Sequence, residues 1–141
     1  MKLPFQVVTL FAEDQRDEVQ GIASLIGILP DNVGVVSFPG MLPKLAIYTR
    51  FFIEAEVELT ESMSITVRHV DGTETRIAEF SPELLKETRA TALATGNQYY
   101  GLIGQAMSSP FPVLQPGRMK VLVRLGDIEE VTGALNFTPG Q

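Results

Sequence analysis

The chain has no cysteine and no tryptophan, and histidine occurs once, at His69. Without thiols there is no disulfide framework and no thiolate metal site, which leaves His69 as the only strong nitrogen ligand. Any Ser-His-Asp arrangement must also run through that residue. Basic residues are scarce: 11 Lys and Arg stand against 17 Asp and Glu, a net charge of −6. A phosphate backbone is repelled by that balance, and no basic stripe with interleaved aromatics reverses it locally, so nucleic acid is excluded as a partner. Long apolar runs are missing too. No span approaches the roughly 20 residues of a membrane helix. The start, Met1-Lys2-Leu3-Pro4-Phe5, lacks the parts of a secretory signal, and Gln6 and Glu13 interrupt the apolar run that follows. The expectation is a cytoplasmic protein with no membrane partner. Phosphate-binding glycine loops are absent, because Gly101-Leu102-Ile103-Gly104 has neither the Lys-Ser/Thr pair nor a helix start. Nucleotide chemistry is disfavoured, and no cofactor is expected.

What is present reads as one domain. A chain of 141 residues buries roughly two thirds of its unfolded surface and has little room for a second core, so residues 1–141 form a single unit. The mean hydropathy of +0.15 exceeds what one small core and a wet surface require. The surplus points to a subunit interface or a ligand groove.

Short β-rich runs separated by turn signals recur every eight to twelve residues or so, the spacing of sandwiches and barrels. Phe5 to Phe11 is a first strand, apolar on both faces, which implies burial on both sides or an interface. Glu13-Asp14-Gln15-Arg16-Asp17-Glu18 reads as a polar connection. Gly21 to Leu29 is a second strand stopped by Pro30-Asp31-Asn32, and Val33 to Phe38 a third, closed by Pro39-Gly40. The clearest signal lies in 45–59, where Leu45, Ile47, Phe51, Ile53, Ala55, Val57 and Leu59 occupy odd positions and Arg50, Glu54, Glu56 and Glu58 sit between them. A period of two makes a long half-buried strand.

Met63 to Phe80 reads as a hairpin around Asp71-Gly72. A two-residue loop pairs Val70 with Thr73, His69 with Glu74, Val67 with Arg76, Ile65 with Ala78 and Met63 with Phe80. Ser81-Pro82-Glu83 supplies an N-cap, a first-position proline and a first-turn acid, and Gly96 a C-cap, which predicts a helix over 82–95 touching the core through Leu84, Leu85, Ala92 and Leu93. Tyr99 to Met107 returns to strand, and 108–117 reads as an exposed connection. In the last hairpin, Met119–Leu125 with Glu129–Phe137, a two-residue Gly126-Asp127 loop would set Val123 against Glu130. An odd-numbered loop pairs Val123 with Val131 and Met119 with Leu135, and apolar parity predicts the odd loop.

About nine strands with hairpin connections and one helix predict an all-β fold, a two-sheet antiparallel β-sandwich in the immunoglobulin-like manner. Pro116-Gly117-Arg118-Met119-Lys120-Val121-Leu122-Val123 looks like the last hairpin of many such domains, without the Cys and Trp hallmarks of antibody domains. The first half, from Leu10-Phe11-Ala12-Glu13-Asp14 through Gly21 and Leu25-Ile26-Gly27-Ile28 to Phe38-Pro39 and Leu42-Pro43-Lys44, resembles an uncharacterised family of short bacterial proteins, a domain of unknown function. Roughly the N-terminal half carries the resemblance. It implies a bacterial origin and a shared fold, and it transfers no site residues. The chain departs from that pattern at Gly21-Ile22, where Gly-Lys is expected, and in its helix near Pro82.

Candidate chemistry is sparse. His69 sits beside a tight turn with Glu74 as predicted neighbour, which is a structural or solvated position. Glu54, Glu56 and Glu58 on one strand face would stand about 7 Å apart, and read as a charged exposed face rather than a shared cation site or an acid–base pair. Glu13, Asp14, Asp17 and Glu18 crowd one connection and are the weak candidates for calcium, although their spacing does not match an EF-hand. Tyr48 and Phe52 bracket Arg50 on the non-core face of the long strand, a combination common in protein-binding surfaces and equally compatible with burial under the helix or a neighbouring loop. Asn136-Phe137-Thr138 spells a glycan acceptor, taken as chance without a secretory signal. The expected function is a non-enzymatic interaction or structural module whose partner is protein, itself included as a homo-oligomer. The competing expectation is a small-molecule or calcium-binding domain using the acidic loop.

Overall fold

A computed structural model describes residues 2–140. Eleven strands and one helix follow in the order β1 (Gln6–Asp17), β2 (Ala23–Ile28), β3 (Asn32–Val35), β4 (Gly40–Leu42), β5 (Leu45–Glu54), β6 (Met63–Arg68), β7 (Glu74–Phe80), α1 (Pro82–Ala94), β8 (Tyr99–Ser108), β9 (Phe111–Val113), β10 (Gly117–Leu125) and β11 (Ile128–Pro139). The protein is mostly β, and the expected nine strands become eleven. A four-stranded sheet has the order β2-β1-β5-β8, a five-stranded sheet the order β3-β11-β10-β6-β7, and β4 pairs with β9 in a small third sheet. No helix among the described residues is long and apolar enough to cross a membrane.

The two large sheets share one hydrophobic core. Strand β5 shows why: its odd positions Leu45, Ile47, Thr49, Phe51 and Ile53 are all buried, and Phe51 meets Phe80 of β7 edge to face at 5.7–5.8 Å, as it also meets Phe5. The polar member of that row, Thr49, is satisfied by Thr9 Oγ1 at 3.1 Å, which in turn bonds Thr132 Oγ1 of the opposite sheet at 2.9 Å. A buried hydroxyl therefore costs little here, because each has a partner.

Both hairpins depart from their expected registers in the same way. At the first, His69 N–H donates to Thr73 O and Gly72 N–H to His69 O, so the loop has three residues, with Gly72 at φ 90° in the left-handed region that such a loop reserves for glycine. Arg68 pairs with Glu74 and Val67 with Thr75, one step from the expected partners, until a bulge at Ile77 restores Ile65↔Ala78 and Met63↔Phe80. At the last hairpin the loop is the two-residue Gly126-Asp127 after all, and Val123 does face Glu130. A bulge at Thr132 then resets the count, giving Val121↔Gly133 and Met119↔Leu135. In each case one extra residue in one strand changes the parity that a strict alternation assumes.

The helix forms as expected, one residue shorter. Ser81 Oγ accepts from Leu84 N–H at 3.1 Å, and Asn97 N–H closes the other end on Ala92 O. Only Leu85 and Ala92 are buried; Leu84 and Leu93 face outward. Arg89 Nε donates to Ala55 O at 2.8 Å and ties α1 to the end of β5. Two further expectations are corrected. The sheets are not wholly antiparallel, since β3 runs parallel to β11. The stretch 108–117 is not merely an exposed connection, since β9 pairs with β4 inside it.

Candidate functional site

The acidic segment is strand, not loop. Glu13, Asp14 and Asp17 lie within β1, where Asp14 pairs with Ile26 and Asp17 with Ala23, while Glu18 follows the strand. Successive carboxylates on a strand point to opposite faces, so they diverge. Asp14 forms an ion pair with Lys44 at 3.6 Å. Among the described residues no group of three or more His, Cys, Asp or Glu side chains is placed to hold a metal ion. The row Glu54, Glu56, Glu58 is likewise broken: β5 ends at Glu54, and Glu56 lies in a turn closed by Val57 N–H on Glu54 O. Asn136 is engaged by Arg118 and Asn32 on the surface of the five-stranded sheet.

The two outer sheet faces differ sharply. On the five-stranded sheet, Glu74 accepts from Arg68 at 2.8 Å and from Arg124 at 3.0 Å, and Arg124 also reaches Glu129 at 2.7 Å. Those bonds, first from Arg124 and then from Arg68, hold the Glu74 carboxyl below its ordinary range, and the same contacts raise Arg124. That face is charged around the buried Leu122 and Thr66. The outer face of the four-stranded sheet is the reverse. Tyr48, Arg50 and Phe52 lie on it, as expected, with the Arg50 guanidinium 4.7 Å from the Phe52 ring centroid. Cross-strand neighbours extend the patch: Leu10 beside Tyr48, and Val8 and Ile103 on either side of Arg50. At one end Ile28, Ala12, Ala46 and Met107 fall in one row across all four strands, with Ala12 and Ala46 fully buried between the exposed Ile28 and Met107, and Gln105 beside Tyr48 accepts from Gln15 Nε2 at 2.6 Å. Val8, Ile26, Ile28, Ile103 and Met107 are each more than 40% exposed. Sequence alone marks the Tyr48–Phe52 strip and the doubly apolar β1, but not the continuation onto β2 and β8, because that depends on which strands become neighbours.

A second feature lies where the sheets open at one end. His69, half-buried, stacks on Phe111 at 6.2 Å, and Phe111 stacks on Phe137 at 6.1 Å. The expected cross-strand neighbour of His69, Glu74, is instead engaged with the arginines, and His69 Nε2 lies 2.9 Å from Thr75 Oγ1. Two hollows of about 380 and 350 Å³ flank the His69–Phe111 pair. Phe111 was hidden in the Pro- and Ser-rich stretch, where an apolar Phe-Pro-Val-Leu run was the only signal. Among the described residues the imidazole hydrogen-bonds only Thr75 Oγ1, and no carboxylate is hydrogen-bonded to its other nitrogen. No protein-family model matches the chain, and no curated protein matches it.

Proposed function

We propose that this chain is a non-enzymatic interaction module that pairs with a second copy of itself through the outer face of the four-stranded sheet. The two packed sheets are read as an immunoglobulin-like sandwich, a scaffold whose uses are many, so the argument rests on the face itself. The observation that carries it is the contrast between the faces: one bears an Arg–Glu network, the other the exposed apolar side chains Val8, Ile26, Ile28, Ile103 and Met107 around one central charge, Arg50. An apolar patch of that kind is an interaction site on a protein with an otherwise charged surface.

Symmetry favours a second copy. β1, β5 and β8, about 4.8 Å apart over the length of β5 at about 3.3 Å per residue, with β2 joining only at the Ala12 row, give a face of roughly 500 Å² before side-chain relief is counted, against the roughly 800 Å² per partner of a specific interface. The strand order β2-β1-β5-β8 puts the middle of this face between β1 and β5. A two-fold axis running along the strands there lays β1 of each copy over β5 of the other, and β2 over β8, which covers the whole patch and makes the contact isologous. Leu10 then meets the partner copy's Tyr48 row, and the Ile28 corner meets the Met107 corner.

Sedimentation velocity tests this. The wild-type chain is expected to be dimeric at micromolar concentration, and Val8→Glu, a change at an exposed position, to sediment as a folded monomer with an unchanged circular dichroism spectrum. A wild-type chain that stays monomeric at 100-fold higher concentration would overturn the proposal.

A further inference from the structure

We infer that the opening beside His69 binds a small organic amine, with its apolar body between the sheets and its ammonium group on Asp71. The space exists because the inner side chains of β8 shrink toward this end. Tyr100 and Leu102 fill the gap between the sheets, and Gly104 is filled by Ile65 from the other side. Ala106 comes next, and there the hollow begins, walled on the facing strand by Ile77. Ile77 is the bulged residue of the edge strand β7, and the bulge aims its side chain at this hollow. A well-packed interior leaves no room for more than a water molecule. Two adjoining hollows of about 380 and 350 Å³ instead match the volumes of small-molecule sites.

The lining sets the ligand's chemistry. Phe111 and His69 provide flat aromatic faces, shared by both hollows, so an aromatic or branched body is favoured over a polar one. No Lys or Arg lines either hollow, and the one carboxylate on their walls is the exposed Asp71, which borders the hollow of about 380 Å³ and not the one at Ala106, the two meeting at His69, Phe111 and Pro112. Its Oδ1 accepts from Thr73 N–H at 3.0 Å and from Thr73 Oγ1 at 2.6 Å, while Oδ2 has no partner among the described residues. Those bonds keep the carboxyl ionised well below neutrality. An ammonium group therefore finds a fixed anion at the mouth, and the net charge of −6 draws cations toward the protein. A carboxylate ligand finds neither.

The absence of tryptophan makes an indole probe directly readable. Tryptamine, its alcohol analogue tryptophol and its acid analogue indole-3-propionate are titrated against the protein by fluorescence anisotropy with excitation at the indole edge. The imidazole resonances of His69, the only histidine, are followed by NMR. Tryptamine is expected to bind saturably, about fivefold tighter than tryptophol and tighter still than the acid, and to shift the His69 signals. Asp71→Asn keeps the acceptor for Thr73 and should erase the preference for the amine while leaving tryptophol binding intact. Ala106→Phe fills the hollow and should abolish binding of all three. Val8→Glu, on the far side of the four-stranded sheet, should bind tryptamine like the wild type, which separates this site from the proposed dimer. Non-saturating tryptamine anisotropy, equal binding of amine and acid, or a preference that survives Asp71→Asn overturns the inference even where Ala106→Phe does not fold.

Discussion

At the scale of single residues, the surface charges and the buried hydroxyls make opposite predictions about stability. Glu74 sits between Arg68 and Arg124 and its carboxyl titrates below the ordinary range, so its charged form is favoured by folding. A group whose pKa falls on folding adds stability that is complete above its unfolded value of about 4.5 and disappears as the pH drops through the lower, folded value. Wild type and Glu74→Gln should therefore differ most in melting temperature at neutral pH and converge in acid, and the difference should shrink in 1 M salt because the cluster is exposed. A gap that persists at pH 2 would show that the side chain acts by packing. Thr66 is the contrary case. It is 2% exposed, between Leu122 of β10 and Arg76 of β7 in the five-stranded sheet, and its hydroxyl has no partner among the described residues. Thr66→Val is expected to stabilise the protein by about 1 kcal/mol in chemical denaturation, because it removes an unpaired buried polar group at constant shape.

At the scale of elements, the two hairpins show which part of a register is legible in sequence and which is not. Apolar alternation correctly pairs Met63 with Phe80 and Met119 with Leu135, positions far from the turns, since those side chains must reach the core whatever the loop does. Nearer the turns the same reasoning fails, because a bulge on one strand exchanges odd for even without leaving a mark in composition. Thr132 is such a residue: its hydroxyl reaches Thr9 across the sheets, while Val131 is turned outward. The helix was legible through its caps, and β5 through its buried odd positions. The parallel pairing of β3 with β11 and the whole of strand β9 were not, because short edge strands are held by backbone pairing that side-chain patterns do not record. The acidic half of β1 was missed for a related reason: it pairs at the outer edge with β2, where polar residues are tolerated. Deletion separates a bulge from a paired residue. Removing Thr132 leaves Leu122↔Val131 and Val121↔Gly133 as adjacent pairs in an unbroken ladder, so the deleted chain should fold, with a loss of about 1 kcal/mol for the hydrogen bond to Thr9. Removing Val123 from β10 instead turns one half of a central strand inside out, and no cooperative unfolding transition is expected. Equal damage from both deletions would mean that Thr132 is not the surplus residue.

At the scale of the whole molecule, the two-fold arrangement makes a prediction about distance that a generally sticky surface does not. Ile28 on β2 and Met107 on β8 lie at opposite edges of the four-stranded sheet and are both exposed. If the axis runs along the strands between β1 and β5, Ile28 of one copy stands over Met107 of the other, with backbones about 10 Å apart as in stacked sheets. Ile28 of one copy is then displaced sideways from Ile28 of the other by about three strand spacings, roughly 14 Å. The chain contains no cysteine, so Ile28→Cys and Met107→Cys each introduce a single thiol. A bismaleimide reaching about 8 Å should join the two variants when they are mixed, since side chains that face each other over a 10 Å sheet separation project toward one another. Neither variant alone should cross-link to itself, because the lateral offset exceeds the linker. Adding Val8→Glu to both chains should abolish the mixed product by dissolving the interface at its centre. Self-linking of either variant in the same yield as the mixture would place the axis elsewhere, and a complete absence of product at dimer-forming concentration would remove this face from the contact.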